Sequence, residues 1–297
     1  MGSPQTGTTD WSPIEGTEPA RLHDARVQAH HAVQWLARAA RAFVPAQPDD
    51  THTNLGWDEA FGGFETHKMQ GARIGVKIAP LSLAILEGRD STPSRILPLE
   101  GRKEGDIRGW LGEELGHLGL DARALDKPLP YNIPHHKISA GAPYTVQILG
   151  DGFRDLATWY SNANQSLGRV TKAVSARKLE ASPVRCWPHH FDFATLISLD
   201  PQLGRSEKAR SVGVGLSPGD EHFNEPYFYV TPFPYPPPPK LPPLPEIGGW
   251  HTKSFTAAVV PAHRILAAQG RQTETEAFLG AAVEASLAAL EYAPKKA

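Results

Sequence analysis

The chain has 297 residues, of which 40% are hydrophobic and 21% charged, and its formal net charge is -2. These values are typical of a folded globular protein with one large or two modest domains, and they exclude disorder over most of the chain. The Lys and Arg residues are scattered among a similar number of acids. The basic surface of a nucleic-acid-binding protein is therefore missing, and we expect no nucleic-acid partner.

The composition also bears on the compartment. The single cysteine, Cys186, excludes an internal disulfide and suits a reducing environment. No apolar run reaches the roughly 18 residues of a transmembrane helix. The first residues lack the basic and apolar regions of a signal peptide. We therefore expect a cytoplasmic protein with no membrane partner.

The N-terminal part begins with a polar segment and continues as a helix. Residues 1–16 are rich in Gly, Ser, Thr and Pro, which predicts a disordered N-terminus. From Thr17, apolar residues recur at steps of three and four, which predicts a helix that stops at Pro45. His30 and His31 lie on this helix about 100° apart, and we expect both to face solvent.

Extended and helical patterns follow in turn. Short apolar runs broken by Gly and Pro predict an antiparallel sheet between Leu55 and Leu99. A short helix is predicted over 107–118, and 128–143 has the prolines of an irregular connection. Apolar residues on a single stripe then predict a long helix over about 151–175.

The C-terminal part repeats this alternation. Four further apolar runs predict a second set of strands, and a last helix capped by Thr273 is predicted to reach Leu290. The fold class predicted for residues 17–290 is a single α+β domain, in which two antiparallel β-sheets with covering helices form one compact unit. The four runs are 191–199, 211–216, 227–231 and 255–260.

A weak internal similarity leaves two interpretations open. The segment 75–80 is similar to 213–218, and each follows an aromatic residue paired with an acid. One interpretation is duplication of a sheet-plus-helix unit, with halves 51–120 and 185–290 joined by the helix over about 151–175. The other is coincidence.

Residues 232–245 contain nine prolines. Such a run cannot donate ladder hydrogen bonds and favours an extended polyproline helix, which predicts a stiff strut across the surface. Its PxxP spacing is also typical of ligands for aromatic-lined grooves. One alternative function is therefore that of an interaction or scaffold protein that displays this strut.

Candidate functional residues concentrate between Ser182 and Tyr229, where histidines, carboxylates and aromatics lie beside short apolar runs. Asp192 and Glu225 are the candidate catalytic acids, because a carboxyl group in apolar surroundings has a raised pKa that suits acid/base work. The leading hypothesis is a small-molecule ligand bound in a polar-aromatic cleft around both acids. The candidate ligand-binding residues are Trp187, His190, Tyr227 and Trp250.

A metal-dependent hydrolase is the remaining alternative. His189, His190 and His222 offer imidazole ligands, and Asp220 offers a carboxylate, which together would suit zinc, iron or manganese. The spacing matches no known metal signature, and adjacent residues on a strand face opposite ways. No motif identifies a cofactor. The ligand, the reaction and the oligomeric state are left open.

The segment order resembles a bacterial family known as domain of unknown function 5996. The resemblance spans about 51–290, and its most specific parts are Phe191-Asp192-x-Ala194 and Glu225-Pro226-x-Phe228-Tyr229. It implies no activity. It does favour the acids over the histidines, because Asp192, Pro218, Gly219, Glu225, Pro226 and Tyr229 match the family pattern, whereas His189, His190, Ser217 and His222 do not.

Overall fold

The protein is described from a computed structural model, which covers residues 10–88, 91–204 and 208–291. Within these residues the chain forms five helices and two antiparallel sheets, an α+β fold as predicted. None of these helices combines the length and apolarity needed to cross a bilayer. The helices are α1 (Pro19–Phe43), α2 (Glu104–His117), α3 (Gly150–Ala176), α4 (Ala262–Ala267) and α5 (Arg271–Ala289).

The two sheets differ in size. The first contains β1 (Gly56–Asp58), β2 (Gly63–Glu65), β3 (Ala72–Lys77), β4 (Ser82–Glu87) and β5 (Arg95–Pro98), in that order. The second contains β6 (Glu180–Ala181), β7 (Arg185–Trp187), β8 (Asp192–Ser198), β9 (Ser211–Ser217), β10 (Tyr227–Phe233), β11 (Gly249–His251) and β12 (Ala257–Pro261). Its order is β11-β12-β10-β9-β8-β6, with β7 also paired to β8. The long strands and helices agree with the sequence prediction, whereas β6, β7, β11 and α4 are too short to give a periodic pattern.

The two sheets meet edge to edge. Leu55, just before β1, and Cys186 of β7 exchange two backbone N–H···O bonds of 2.9 Å. A single hydrophobic cluster then includes buried residues of both sheets and of α1, α2, α3 and α5. At its centre the Phe64 ring lies edge-on to Tyr160 and Phe193, at centroid distances of 4.7 and 5.7 Å. Burial of this continuous apolar surface holds the two sheets and the helices together.

The two halves share part of their topology. Each has a long helix before an antiparallel sheet, and each sheet contains a hairpin closed by a four-residue turn, although β6 precedes that hairpin in the second half. The last turn residue is left-handed in both cases, Gly62 at φ 69° and Phe191 at φ 60°. The register pairs Gly75 with Glu65 and Gly215 with Ala194. The counterpart of Gly75 is thus Gly215, so the sequence alignment of Gly75 with Gly213 is wrong by two residues. Descent from a duplication stays a prediction.

The N-terminal helix differs from its prediction on one face. His30 and His31 are only 6% and 7% exposed, and each imidazole Nε2 lies within hydrogen-bond distance of a proline carbonyl. The expectation that both face solvent is therefore wrong. A signal was present in the sequence, because no Asp, Glu, Lys or Arg occurs between Arg26 and Arg38, which is typical of a helix buried all round.

The segment before α1 follows an ordered path. The indole Nε1 of Trp11 donates to Ser166 Oγ at 2.9 Å, and Ser12 N donates to Asn162 Oδ1 at 2.9 Å. Ile14 is buried in the main hydrophobic cluster. This arrangement differs from the disorder expected for residues 10–16, while residues 1–9 of that prediction lie outside the described residues.

Candidate functional site

The second sheet has one apolar and one polar face. Side chains alternate along a strand, so Phe193, Leu216 and Phe228, which are paired across β8, β9 and β10, share the face in the hydrophobic cluster. The opposite face carries Asp192 on β8 and Tyr229 on β10. Polar groups from two non-adjacent strands are thereby brought to one surface of the sheet.

The turn between β7 and β8 fixes the position of Asp192. Phe191 ends this turn in the left-handed region, at φ 60°, which is unfavourable for a bulky residue. Three contacts hold it there. Its N–H donates to Trp187 O at 2.7 Å, its C=O accepts from Tyr160 Oη at 2.7 Å, and its buried ring stacks on His30 with centroids 5.1 Å apart. The strained turn thus sets the direction in which β8 begins.

One carboxyl oxygen of Asp192 is held by Tyr229, and the other is buried without a partner in the described part of the chain. The Tyr229 hydroxyl donates a short hydrogen bond to Asp192 Oδ2, while Oδ1 is buried and has no hydrogen-bond partner among the described residues. Burial raises the pKa of Asp192, and the Tyr229 hydrogen bond and the charge of His190 oppose that rise. Burial also raises the pKa of Tyr229 well above its usual range, so the phenol keeps its proton.

Gly215 makes room for this contact. It lies on β9, between Ala194 of β8 and Tyr229 of β10. A Cβ at this position would lie 2.7 Å from the Tyr229 hydroxyl and 2.7 Å from Ala194 Cβ. Without a side chain there, the Tyr229 ring can cross β9 and reach the carboxyl group of Asp192.

A cleft of about 510 Å³ opens over Asp192. Its size is within the range of small-molecule sites. The floor comes from β8, β9 and β10, one wall from α1, and the others from the 49–53 segment, the β7–β8 turn and the 128–143 connection. The lining includes Tyr131, Trp187, His189, His190, Asp192 and Tyr229.

His189 carries little charge near neutral pH. Burial lowers the pKa of His189 to about 4, and the neighbouring His190 adds to that effect. The two rings lie 4.3 Å apart, and His189 is also 5.7 Å from Tyr131 and 6.1 Å from Trp187. A neutral imidazole among aromatic rings is suited to stacking against a planar ligand.

Of the predicted ligand and catalytic residues, the structure brings Trp187, His190 and Asp192 into this cleft. Glu225 is elsewhere. Its Oε2 accepts from His263 N at 2.8 Å, and its Oε1 lies 2.7 Å from His263 Nδ1. The predicted cleft shared by Asp192 and Glu225 is therefore wrong, because Glu225 lies just before the start of β10, where His263 in the first turn of α4 contacts both of its oxygens.

Tyr227 and Trp250 also lie outside the cleft. The Tyr227 hydroxyl donates to Asp220 Oδ2, although its ring packs 6.2 Å from that of Tyr229. Trp250 pairs with Ala258 on β12, and its indole Nε1 donates to Pro242 O at 2.7 Å. Tyr227 supports Tyr229 from the side, whereas Trp250 holds the proline segment, so neither is placed to contact a ligand at Asp192.

The metal candidates form no ligand cluster among the described residues. His189 and His190 line the cleft, but Asp220 Oδ1 accepts from the backbone N–H groups of His222 and Phe223, and the His222 ring lies 6.0 Å from that of His251. The described residues contain no group of three or more His, Cys, Asp or Glu side chains that could hold a metal ion. The geometry therefore gives the metal hypothesis no support.

The proline-rich segment 232–245 is partly integrated into the sheet. β10 includes Pro232 and Phe233, a short 3-10 turn follows at 238–240, and Leu244 packs against the main hydrophobic cluster. Phe233 and Tyr235 are 42% and 54% exposed. Display of this segment to a partner protein stays a prediction.

Sequence reasoning missed two residues of the cleft region. Tyr131 lies in the irregular connection and donates to Gln34 Oε1 of α1 at 3.1 Å. Arg26 lies on α1, lines the neighbouring cavity and is only 6% exposed. The charge-free stretch that follows Arg26 was a signal for the burial of Arg26. No signal in the sequence marked Tyr131.

Comparison with family models, with curated proteins and with solved structures found no match. The resemblance to domain of unknown function 5996 therefore stays a prediction, and the geometry of the site carries the functional argument.

Proposed function

We propose that the protein binds a small molecule that carries an N–H or O–H donor beside a planar group, and that Asp192 exchanges a proton with that donor. The observation that carries the proposal is Asp192 Oδ1, which is buried at the cleft and has no hydrogen-bond partner among the described residues. A buried acceptor without a partner is destabilising, so a ligand donor that satisfies it gains affinity.

Electrostatics supports proton exchange. A carboxyl group whose pKa is raised by burial works closer to neutral pH than an ordinary aspartate, which is what acid/base catalysis needs. Tyr229 keeps its own proton and orients the carboxyl group through Oδ2. Proton transfer is then assigned to Oδ1, the oxygen without a hydrogen-bond partner among the described residues.

The wall composition supports a planar ligand. Trp187, His189 and Tyr131 contribute rings to the lining of the cleft, and such rings favour stacked or edge-on contact with a flat molecule. A cationic donor is favoured over an anion, since it is attracted by the ionised carboxylate and would lower the pKa of Asp192 on binding.

The test uses benzamidine, benzylamine and benzoate as probes. Binding of each probe to the full chain is measured by ligand-observed NMR. Benzamidine and benzylamine are expected to bind in a way that depends on Asp192, whereas any binding of benzoate should not depend on Asp192. Asp192→Asn should weaken binding of the two cations by about tenfold or more, because a charge-assisted hydrogen bond is lost. Asp50→Asn is the matched control, because Asp50 is an exposed acid at the rim of the same cleft. Equal weakening by both substitutions, or binding of benzoate alone, would contradict the proposal.

A further inference from the structure

A second cavity, of about 600 Å³, adjoins the Asp192 cleft. His189 and His190 line both spaces. The second cavity is otherwise bounded by one face of α1 and by the turn after β9, which includes Pro218 and Gly219. The two spaces together are large enough for a ligand with two distinct ends.

Arg26 is the main charged group on the α1 side of this cavity. Its guanidinium contacts a backbone carbonyl, an amide oxygen and an imidazole nitrogen: Nη1 donates to Pro218 O at 3.3 Å, and Nη2 lies 3.2 Å from Asn224 Oδ1 and 2.7 Å from His23 Nδ1. Among the described residues it forms no ion pair with a carboxylate, although it is only 6% exposed. A guanidinium has five N–H donors, so these three contacts leave others for a ligand.

Gly219 is adapted to the guanidinium. Its φ of +113° is a conformation that side chains disfavour, and a Cβ there would collide with Arg26 Nη1. The turn after β9 therefore allows the cation to approach the backbone. This gives a physical role to the Pro-Gly pair that the sequence resemblance singled out.

The acids around the cavity are already occupied or exposed. Asp220 attracts the guanidinium, but its oxygens accept two backbone N–H groups and the Tyr227 hydroxyl. Glu221 is exposed, and its Oε1 lies 3.7 Å from His222 Nε2. Burial lowers the pKa of Arg26, which means that the charged form lacks full compensation. Buried cations are normally paired, so the missing counter-charge points to a ligand.

We infer that the Arg26 cavity binds an oxyanion, a carboxylate or a phosphate group, at one end of the small molecule that the protein takes. The planar fork of a guanidinium matches the paired oxygens of either group. The inference depends on the proposed function only in placing the other end of that molecule at Asp192.

The experiment titrates inorganic phosphate and acetate separately into the full chain and follows backbone amide NMR shifts. Saturable binding is expected, with the largest shifts at Arg26 and in the 218–221 turn. Arg26→Gln should weaken it by about tenfold or more, because a charge-assisted contact is lost. Arg21→Gln is the matched control. Arg21 lies on the same helix but is exposed, and its Nη1 lies 3.8 Å from Asp151 Oδ2. Arg21→Gln should therefore leave anion binding unchanged.

The two anions distinguish the ligand classes. Tighter phosphate binding assigns a phosphate ester and tighter acetate binding a carboxylate. No saturable binding to the natural chain, or equal binding in Arg26→Gln, would overturn the inference. If Arg26→Gln does not fold, crystals of the natural chain soaked in selenate decide it. An anomalous peak beside the guanidinium supports the site, and no peak there rejects it.

Failure here is separable from failure of the proposed function. Asp192→Asn is expected to lose the cationic probes and to bind phosphate or acetate as the natural chain does. If benzamidine and benzylamine do not bind but an anion does so through Arg26, the oxyanion site stands and the role of Asp192 falls. If benzamidine and benzylamine bind through Asp192 but neither anion binds through Arg26, the role of Asp192 stands and the oxyanion site falls.

Discussion

The β1–β2 and β7–β8 hairpins share a four-residue turn with a left-handed last residue. They differ in whether the turn covers the sheet face beneath it. In the β1–β2 hairpin, the turn carries Phe61, whose ring covers Gly75 so closely that a Cβ there would lie 2.8 Å from it. Phe61 also forms a small apolar cluster with Ala84 and Leu86. In the β7–β8 hairpin, His190 has the position of Phe61, and the sheet beneath it is open to the cleft. The same turn therefore covers the sheet face where it carries Phe61 and leaves the face exposed where it carries His190.

The carboxylates of the two halves differ in the same way. Glu65 of β2 also has a buried oxygen without a hydrogen-bond partner, but its other oxygen lies 3.1 Å from Arg73 Nη1. Burial raises the pKa of Glu65, and the Arg73 charge opposes that rise. Asp192 has a phenol in place of the cation. An acid paired with arginine is compensated within the fold, whereas an acid paired with tyrosine is left for a ligand to compensate.

The largest expected effect concerns the two left-handed turn residues. Phe191→Ala removes a buried ring and should lower the free energy of unfolding by about 3–5 kcal/mol. Gly62→Ala meets no atom within 4 Å, so it should lose only about 1–2 kcal/mol through its positive φ. Urea denaturation measures both values. Equal losses would mean that the two turns are not equivalent and that Phe191 is not held by its ring.

The second prediction concerns pH and stability. Because the folded pKa of Asp192 is raised, the folded state binds more protons than the unfolded state between about pH 4, the ordinary aspartate pKa, and the raised value. Stability should therefore fall as pH rises through that window. Asp192→Asn removes the titration and keeps an acceptor for Tyr229, so it should raise the free energy of unfolding by about 1 kcal/mol at pH 7.

The pH dependence provides the control for this gain. Below about pH 4, where the unfolded aspartate is also protonated, thermal unfolding of Asp192→Asn and of the natural chain should coincide. Glu65→Gln should instead destabilise the protein at pH 7, because it removes the charge of the carboxylate from the Glu65–Arg73 ion pair. A loss of stability in Asp192→Asn at pH 7 would show that the carboxylate is compensated in the free protein.

The sequence predicted more of the fold than of the site, and particular residues show why. The stripe of α3 is set by local periodicity, and the bounds predicted for it differ from Gly150–Ala176 by one residue at each end. Asp192 was identified because apolar residues flank it on both sides. The separation of Glu225 from Asp192 was not predictable, since it depends on where α4 meets β10, a contact between distant segments.

The same limit explains the missing cleft residues. Tyr131 approaches Asp192 only because the 128–143 connection crosses α1, and nothing in its local sequence marks that path. His30 and Arg26 are buried because the β7–β8 turn and the turn after β9 pack on the same helix face. Local patterns predict which residues can be buried, whereas the partners of a buried polar group are set by tertiary packing.

The smallest expected effect on stability tests the comparison most directly. His190→Phe gives the second hairpin the side chain of the first. Because Phe61 packs on its sheet without strain, a phenyl ring in the matching position should change the free energy of unfolding by no more than about 0.5 kcal/mol. The ring should cover the sheet beside Asp192 and abolish binding of benzamidine, measured by ligand-observed NMR. Phe61→His is the reciprocal control, and it should leave benzamidine binding unchanged. If His190→Phe still binds the probe, the ring at this position does not decide whether the sheet face is open, and the contrast between the two halves lies in Asp192 and Tyr229 alone.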